Sequence, residues 1–573
     1  MYNSNKLPVK SKRKFVQENL IINSWDKIEP FFDDLLNREI VNVKGLEKWL
    51  LDKSELEAVL EEEMAWRYIK MKLNTNDEKL SQMFQFWIKE ISPKISPYSH
   101  KLNLKLIESP YVHHLDKNKY RIFLRSIKKS IDIYRKENIP LFTEMKSKQQ
   151  EYGSIVAQMN IEVDGELITM QKAEVLLKDI NRKKREEIFN KIKNRRLKDE
   201  KKLDKLYNEL IELRQIISKN AGFENYRDYM FSAMGRFDYT FEDCYDFHKS
   251  ISQEIVPIIT CFEKERKRNL GNDSYKIWDT KVDTNGSSPL NPFNGEKQLT
   301  ELTIECFNRI SPYFGECIAI MQKMKHLDLE SKNGKAPGGF MYPLYEIGIP
   351  FIYMNAVGSH RDLVTMVHEG GHAIHSFLSR DLELTAFKST PSEVAELASM
   401  SMELISMKYW NVFYTDKKEL IRAKKEQLEK VLEGLPWIAA IDKFQHWIYT
   451  NTHTSEERKL KWIDINKELG SQIIDWDGQE NYHKIIWQKQ LHLFEVPFYY
   501  IEYGIAQLGA IAIWREFIKD EKKALDNYVK ALKLGYTRSI SEIYETAGIK
   551  FDFSSQYVRE LANFIKEELN KMK

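Results

Sequence analysis

The sequence predicts a mainly α-helical fold, and three observations carry that prediction. Long charged segments place apolar residues three and four apart, as in YRIFLRSIKKSIDIYRKE (120–137) and LDKLYNELIELRQIISKN (203–220), which is the period of a helix with one buried face. Glycine and proline are scarce, at 23 and 16 of 573 residues, so little interrupts such helices. The stretches that break the pattern are short.

The first break is IVAQMNIEVDGELITM (155–170), whose alternation around Asp164-Gly165 predicts a β-hairpin. The run from Lys183 to Lys205 is dense in charge of both signs and is interrupted by Ile188, Ile192 and Leu197. It reads as the solvated face of a helix rather than a nucleic-acid patch. A polar loop, DTNGSSPLNPFNGEK (283–297), follows. GGFMYPLYEIGIPFIYMNA (338–356) is rich in aromatic and β-branched residues and predicts one or two strands. Within it, IPFIYMNAV (349–357) is expected to be an extended edge to which a peptide could add as a further strand. Phe351 and Tyr353 on that edge are candidate substrate contacts. A boundary near residue 185 would divide a helical N-terminal lobe (1–185) from a catalytic lobe (186–573).

Composition excludes several function classes. Hydrophobic residues make up 42% and charged residues 30%, the proportions of a globular chain. The net charge is only +3, from 88 basic and 85 acidic residues, so neither nucleic acid nor a membrane surface is expected as a partner. Four cysteines without a C-x-x-C pair read as reduced, mostly buried thiols. The basic N-terminus MYNSNKLPVKSKRKF has no apolar region after it, so no secretory signal is expected and the cytoplasm is the expected compartment.

The chemistry concentrates in VHEGGHAIH, Val367 to His375. His368 and His372 are four apart and therefore share one face of a helix. Two imidazoles so placed can bind one zinc ion, and Glu369 beside them can act as general base. By chance a chain of this composition would contain only about 0.03 H-E-x-x-H matches. Ser359 to Asp362 forms an S-x-x-D capping box that should start the helix. Gly370 and Gly371 sit in its interior, where each costs about 1 kcal/mol relative to alanine. Close approach of another backbone, or room for substrate, would justify them.

A catalytic zinc needs a third protein ligand. The long motif with a third histidine is absent: position 375 is His where it needs Gly, and 378 is Leu where it needs His. A carboxylate on a later helix is therefore expected. Thr390 to Glu393 reads as a capping box, which gives Glu393 a structural job and leaves Glu396, one turn on, to face the metal. Glu403, two turns further, suits a hydrogen bond to a ligand histidine, and His375 suits packing or support of the site. Downstream, HLFEVPFYYIEYGIAQLGAIAIW (492–514) brings His492, Tyr499, Tyr500 and Tyr503 together. Aromatic packing would explain them, but a zinc hydrolase also needs donors for an oxyanion, and tyrosine and histidine can serve.

Taken together, these residues resemble the thimet oligopeptidase and oligoendopeptidase F family of zinc metallopeptidases. The resemblance covers roughly the last 400 residues. It rests on Trp278-Asp279, GGF, PFIYMN, HEGGHAIH, AELASMSME and the His…Tyr cluster in that order, and the last block is closest to the bacterial branch. It implies one zinc ion on His368, His372 and Glu396, with Glu369 as base. It also implies substrate contact by Tyr503 and His492, and Tyr499 and Tyr500 are further candidate substrate contacts. The implied fold is a two-lobed helical body, with a small sheet beside the zinc helix and a deep channel that admits short peptides. Three rivals remain: a zinc carboxypeptidase on a similar scaffold, a zinc-binding peptide carrier, and a helical interaction scaffold without metal.

Overall fold

The computed structural model describes residues 7–572, and helices dominate it. Helix α1 (Val43–Leu73) starts where the Asn42 side chain accepts from the Gly45 N–H. It organises a buried cluster drawn from residues 16–123, which also takes in Leu384 and Phe387. Helices α2 (Lys117–Ile133) and α3 (Asn138–Ala157) follow.

Strands β1 (Asn160–Val163) and β2 (Glu166–Thr169) form the expected hairpin. Asp164 and Gly165 at its turn both have positive φ, 51° and 82°; a two-residue turn needs this to match the strand twist. The hairpin is narrower than the sequence suggested, because α3 continues through Ala157.

The charged run becomes α4 (Arg182–Lys198) and the start of α5 (Glu200–Asn220). Ile188 and Ile192 are buried on its inner face. Two of its arginines are used inside the protein: Arg185 and Arg182 bind the buried Asp279 at 2.7 and 2.8 Å. The Trp278-Asp279 pair thus pins α4, with Trp278 packed on Phe189. Residue 185 lies within this helix. Helices α6 (Phe241–Glu254) and α7 (Gly295–Ile310) come next, the second after the polar loop.

Strands β3 (Leu327–Glu330), β4 (Phe340–Tyr342) and β5 (Phe351–Ala356) make a sheet of order β3-β5-β4. β5 is parallel to β3 and antiparallel to β4. Here the structure corrects the sequence reading: the 349–357 stretch supplies the middle strand, not an edge. Phe351 and Tyr353 are buried at 3% and 0% exposure. Tyr353 spends its hydroxyl on the backbone carbonyls of Lys72 and Ala336. Neither is placed to touch a substrate. The free edge on the site's side is β4.

Helix α8 (His360–Ser379) begins at the Ser359–Asp362 capping box, both reciprocal bonds being present. Helix α9 (Thr385–Lys388) is one turn long, and α10 (Ser392–Ser406) follows. A second correction falls at its start. Pro391 is the N-cap and no side chain caps the helix, so Thr390–Glu393 is not a capping box. Glu393 instead turns inward and accepts from the Tyr239 hydroxyl at 2.6 Å. Helix α11 (Lys417–Thr450) spans 34 residues, and α12 (Tyr500–Lys519) closes the region. α10 packs against both α8 and α12, so the site is built on three helices far apart in sequence.

Cys244, Cys306 and Cys317 are buried and Cys261 is exposed, all as free thiols. Among the described residues, no helix is long and apolar enough to cross a membrane.

Candidate metal centre

His368 and His372 project from one face of α8 towards α10. Their Nε2 atoms lie 3.3 and 3.6 Å from the same oxygen, Glu396 Oε2. Donor atoms of the three residues all fall within 4.8 Å of one another. A tetrahedral zinc ion with bonds near ~2.0 Å separates its ligands by ~3.3 Å, so the spacing fits a zinc ion. The donor set, two imidazoles and one carboxylate, is also one that zinc takes.

The surrounding side chains fix which atoms face the centre. Glu403 Oε1 accepts from His368 Nδ1 at 2.6 Å, and its Oε2 accepts from Gln427 Nε2 at 2.7 Å. His368 therefore carries its proton on Nδ1 and turns the Nε2 lone pair to the centre. The Tyr499 hydroxyl donates to Glu396 Oε1 at 3.2 Å, and Ser399 donates to Oε2 at 3.1 Å. Burial works against a charge on Glu396, but the two imidazoles outweigh it and hold the carboxyl well below its usual range. Burial would likewise lower His368, yet the Glu396 and Glu403 carboxylates raise it well above its ordinary value. A divalent cation in their midst would take the place of these protons.

Glu369 is buried beside the triad, and burial raises its carboxyl above the ordinary value. The Met341 backbone on β4, which lines the same cavity, pulls weakly the other way. The two glycines are explained by close packing. A Cβ on Gly371 would sit 2.7 Å from Ser399 Cα and 2.9 Å from the Ala398 carbonyl, so α8 and α10 touch backbone to backbone there. A Cβ on Gly370 would meet the Phe307 ring of α7 at 2.7 Å.

His368, Glu369, His372 and Glu396 face one cavity of about 380 Å³, with Tyr499 and Tyr503 on its wall. His375 also lines it but lies outside the triad, and burial pushes its imidazole down to about 3. His492 and Tyr500 stand behind this wall. The His492 ring lies 5.7 Å from Tyr503 and 4.8 Å from Tyr500, centre to centre. Trp437 Nε1 donates to Gln490 Oε1 at 2.9 Å, so the Gln490 amide nitrogen must donate to His492 Nδ1, at 2.7 Å. His492 then keeps its proton on Nε2. Burial lowers it to about 4, so it is neutral near pH 7. Tyr503 is held protonated by burial and by the Glu396 charge, which makes its hydroxyl a donor.

Sequence reasoning missed several residues here. Tyr345 and Lys388 line the cavity, and Gln427 supports Glu403 from α11. Lys388 is the last residue of the one-turn α9, and no spacing pattern marks it. Gln427 sits mid-helix in a charged run, where one glutamine carries no signal.

Three candidate metal ligands on a helical scaffold, with a buried carboxylate beside them, make up the centre. Comparison with known proteins supplies the family. Residues 175–563 match the model of Peptidase family M3, and residues 15–134 match that of the Peptidase M3 N-terminal domain. The chain belongs to peptidase family M3. It is 24% identical over 343 residues to Oligopeptidase PepF of Bacillus subtilis (strain 168), a match over 58% of this chain and 49% of that protein. It is 23% identical over 352 residues to the chromosomal Oligoendopeptidase F of Lactococcus lactis subsp. cremoris, over 58% and 54%. The chain thus spans about half the length of the curated relatives it matches. Among solved structures, PZ peptidase A with inhibitor 2 superposes with a TM-score of 0.91 at 24% identity, over 97% of this chain and 99% of that one. Oligoendopeptidase-F from Enterococcus faecium gives 0.65 at 15% identity, over 95% and 96%. At these identities the likeness speaks for the fold.

Proposed function

We propose that the protein is a zinc-dependent oligoendopeptidase that hydrolyses internal bonds of short, unstructured peptides in the cytoplasm. It would bind one catalytic zinc ion on His368, His372 and Glu396. The observation that carries this reading is the convergence of three donors on one point, with a buried, unpaired-with-cation carboxylate, Glu369, in the same cavity. Binding alone needs no base, which disfavours a peptide carrier, and a scaffold needs no such donor set.

Zinc supplies Lewis acidity there: it acidifies a water and stabilises negative charge on a carbonyl oxygen. The protein's own groups do the rest. Glu369 takes a proton from the attacking water and later hands it to the leaving amine. Tyr503 donates its hydroxyl to the carbonyl oxygen as charge develops, and neutral His492 packs behind it. Tyr499 holds Glu396 in place. A peptide laid along the free edge of β4 would receive backbone hydrogen bonds and so be read with little regard to sequence. We further propose that residues 1–185 form an N-terminal lobe and 186–573 the catalytic lobe.

One observation favours a second reading. A carboxypeptidase needs a cation near the metal for the substrate carboxylate, and Lys388 lines the cavity. Internally quenched peptides blocked at both ends separate the two. Cleavage of blocked peptides at internal bonds is expected; hydrolysis confined to peptides with a free C-terminus would replace the first reading by the second.

A further inference from the structure

Helices α6 and α11 face each other across a second cluster of metal-binding side chains. Cys244 and His248 are four apart on α6, and Asp442 and His446 are four apart on α11, so each pair shares one helix face. All four are buried, at 0%, 2%, 0% and 2% exposure. Donor atoms of Cys244, Asp442 and His446 lie within 4.8 Å of one another. His248 Nε2 is 2.8 Å and His446 Nε2 3.1 Å from the same oxygen, Asp442 Oδ2.

The hydrogen bonding around this cluster is incomplete. Cys244 donates to the Thr240 carbonyl at 3.4 Å, and His248 bonds Asp442. Beyond that, Asp442 Oδ1, His248 Nδ1 and both His446 nitrogens are buried without a hydrogen-bond partner. His446 Nε2 therefore stands beside a carboxylate oxygen at the separation of two ligands on one ion, not in the geometry of a hydrogen bond. Orphaned polar atoms in an interior are costly. The rings of Phe231, Tyr245 and Phe498 pack around the buried His446.

The geometry points to a second metal site: we propose that Cys244, Asp442 and His446 take a structural zinc ion, with His248 closing the fourth position. Three donors are already gathered, and His248 joins by swinging its Nε2 off the carboxylate oxygen. Binding releases the Cys244 thiol proton to solvent. A thiolate, a carboxylate and two neutral imidazoles around a divalent ion sum to zero charge, which suits an apolar interior. The thiolate favours zinc over harder cations, and a closed four-ligand site is structural. The site is separate from the catalytic one. Asp442 lies fifteen residues beyond Gln427 on α11, about 22 Å along the helix axis. Its work would be to clamp α6 to α11.

Cobalt expression tests this, because the catalytic triad contains no thiolate. Full-length protein produced in cobalt-supplemented medium should carry two metal equivalents and show a thiolate-to-cobalt charge-transfer band. Cys244→Ser should carry one equivalent and lose the band, keeping the metal on His368, His372 and Glu396. Cys261→Ser, which alters the exposed thiol, should keep both. Wild-type protein with one equivalent and no thiolate band overturns the proposal, even if Cys244→Ser fails to fold. So does a band that survives in Cys244→Ser or disappears in Cys261→Ser.

Discussion

In the proposed mechanism Glu369 and Tyr503 divide the chemistry between two side chains, and single-atom changes can separate them. Glu369→Gln keeps the shape but accepts no proton; metal content should stay near normal while kcat falls by at least ~10²-fold. Metal analysis with steady-state kinetics on one quenched peptide checks this, and near-normal turnover in metal-loaded protein would defeat the mechanism. Tyr503→Phe should lower kcat by ~10²–10³ with little change in KM, since its bond strengthens in the transition state. Tyr499→Phe should act differently, because its hydroxyl holds Glu396: metal affinity should drop ~10–100-fold, read by competition with a chelator. Tyr500→Phe, behind the cavity wall, should stay within a few-fold of wild type. Glu396→Ala should lose the metal and Glu393→Ala should keep it. At this scale the histidines and Glu369 were legible in the sequence, because i, i+4 spacing fixes a shared face. The choice of Glu396 over Glu393 was reached by a capping argument that the structure corrects at Pro391. What occupies Glu393 is Tyr239, from 154 residues away, and no local pattern announces such a partner.

Elements meet closely at Gly371, and that closeness is testable. Gly371→Ala forces α8 and α10 apart and should destabilise by about 1–3 kcal/mol, with weaker metal binding, because Glu396 rides on α10. Gly153→Ala in α3 is the control: its Cβ would meet nothing within 4 Å, and helix propensity alone should stabilise by up to about 1 kcal/mol. Chemical denaturation of both variants decides the point. A second element-level feature is the buried cluster between α10 and α12. Glu502 binds Arg236 at 2.9 Å, with Glu393 near by. Burial and the neighbouring carboxylate raise Glu502, and burial raises Glu393. A carboxyl raised in the folded state stabilises fully below its unfolded value of ~4.3, and that contribution is lost as pH climbs through the raised value. Glu502→Gln should remove this slope, so its melting temperature should gain on wild type as pH rises from acid to neutral; parallel Tm–pH curves would contradict it. Strand order, by contrast, was hidden in the sequence. β5 is apolar on both faces, with four consecutive buried residues, the signature of a central strand. β4 has only three residues, too few to show an alternation.

The whole molecule was legible as a helical body with a short hairpin and a short sheet, because period 3.6 persists over long segments and turn residues mark the breaks. How those helices close on one another was not, since Asp279 with Arg185, or Gln427 with Glu403, are pairings across long stretches of chain. Chelation should abolish peptidase activity and zinc should restore it; an activity unmoved by exhaustive chelation would overturn the zinc reading. The proposed cysteine-containing site should exchange far more slowly than the proposed catalytic one, so activity should return with the first equivalent of metal.

Helix α9 and the residue before it carry Phe387 and Leu384 into the cluster formed mainly by residues 16–123, and Thr385 is hydrogen-bonded to Ser54 there through side chain and backbone. The helix's last residue, Lys388, and the next two, Ser389 and Thr390, form part of the cavity wall. A chain severed in the interval between its two family-model matches would therefore yield halves that are sticky for each other: one with a vacant apolar socket, the other with the plug that fits it. The second half would own every residue of the cavity wall, but its stretch from Lys388 to Thr390 would lose the packing that anchors it. Co-expressed, they should find each other and regain the proposed turnover, which would make the protein a starting point for a split reporter whose signal is peptide cleavage.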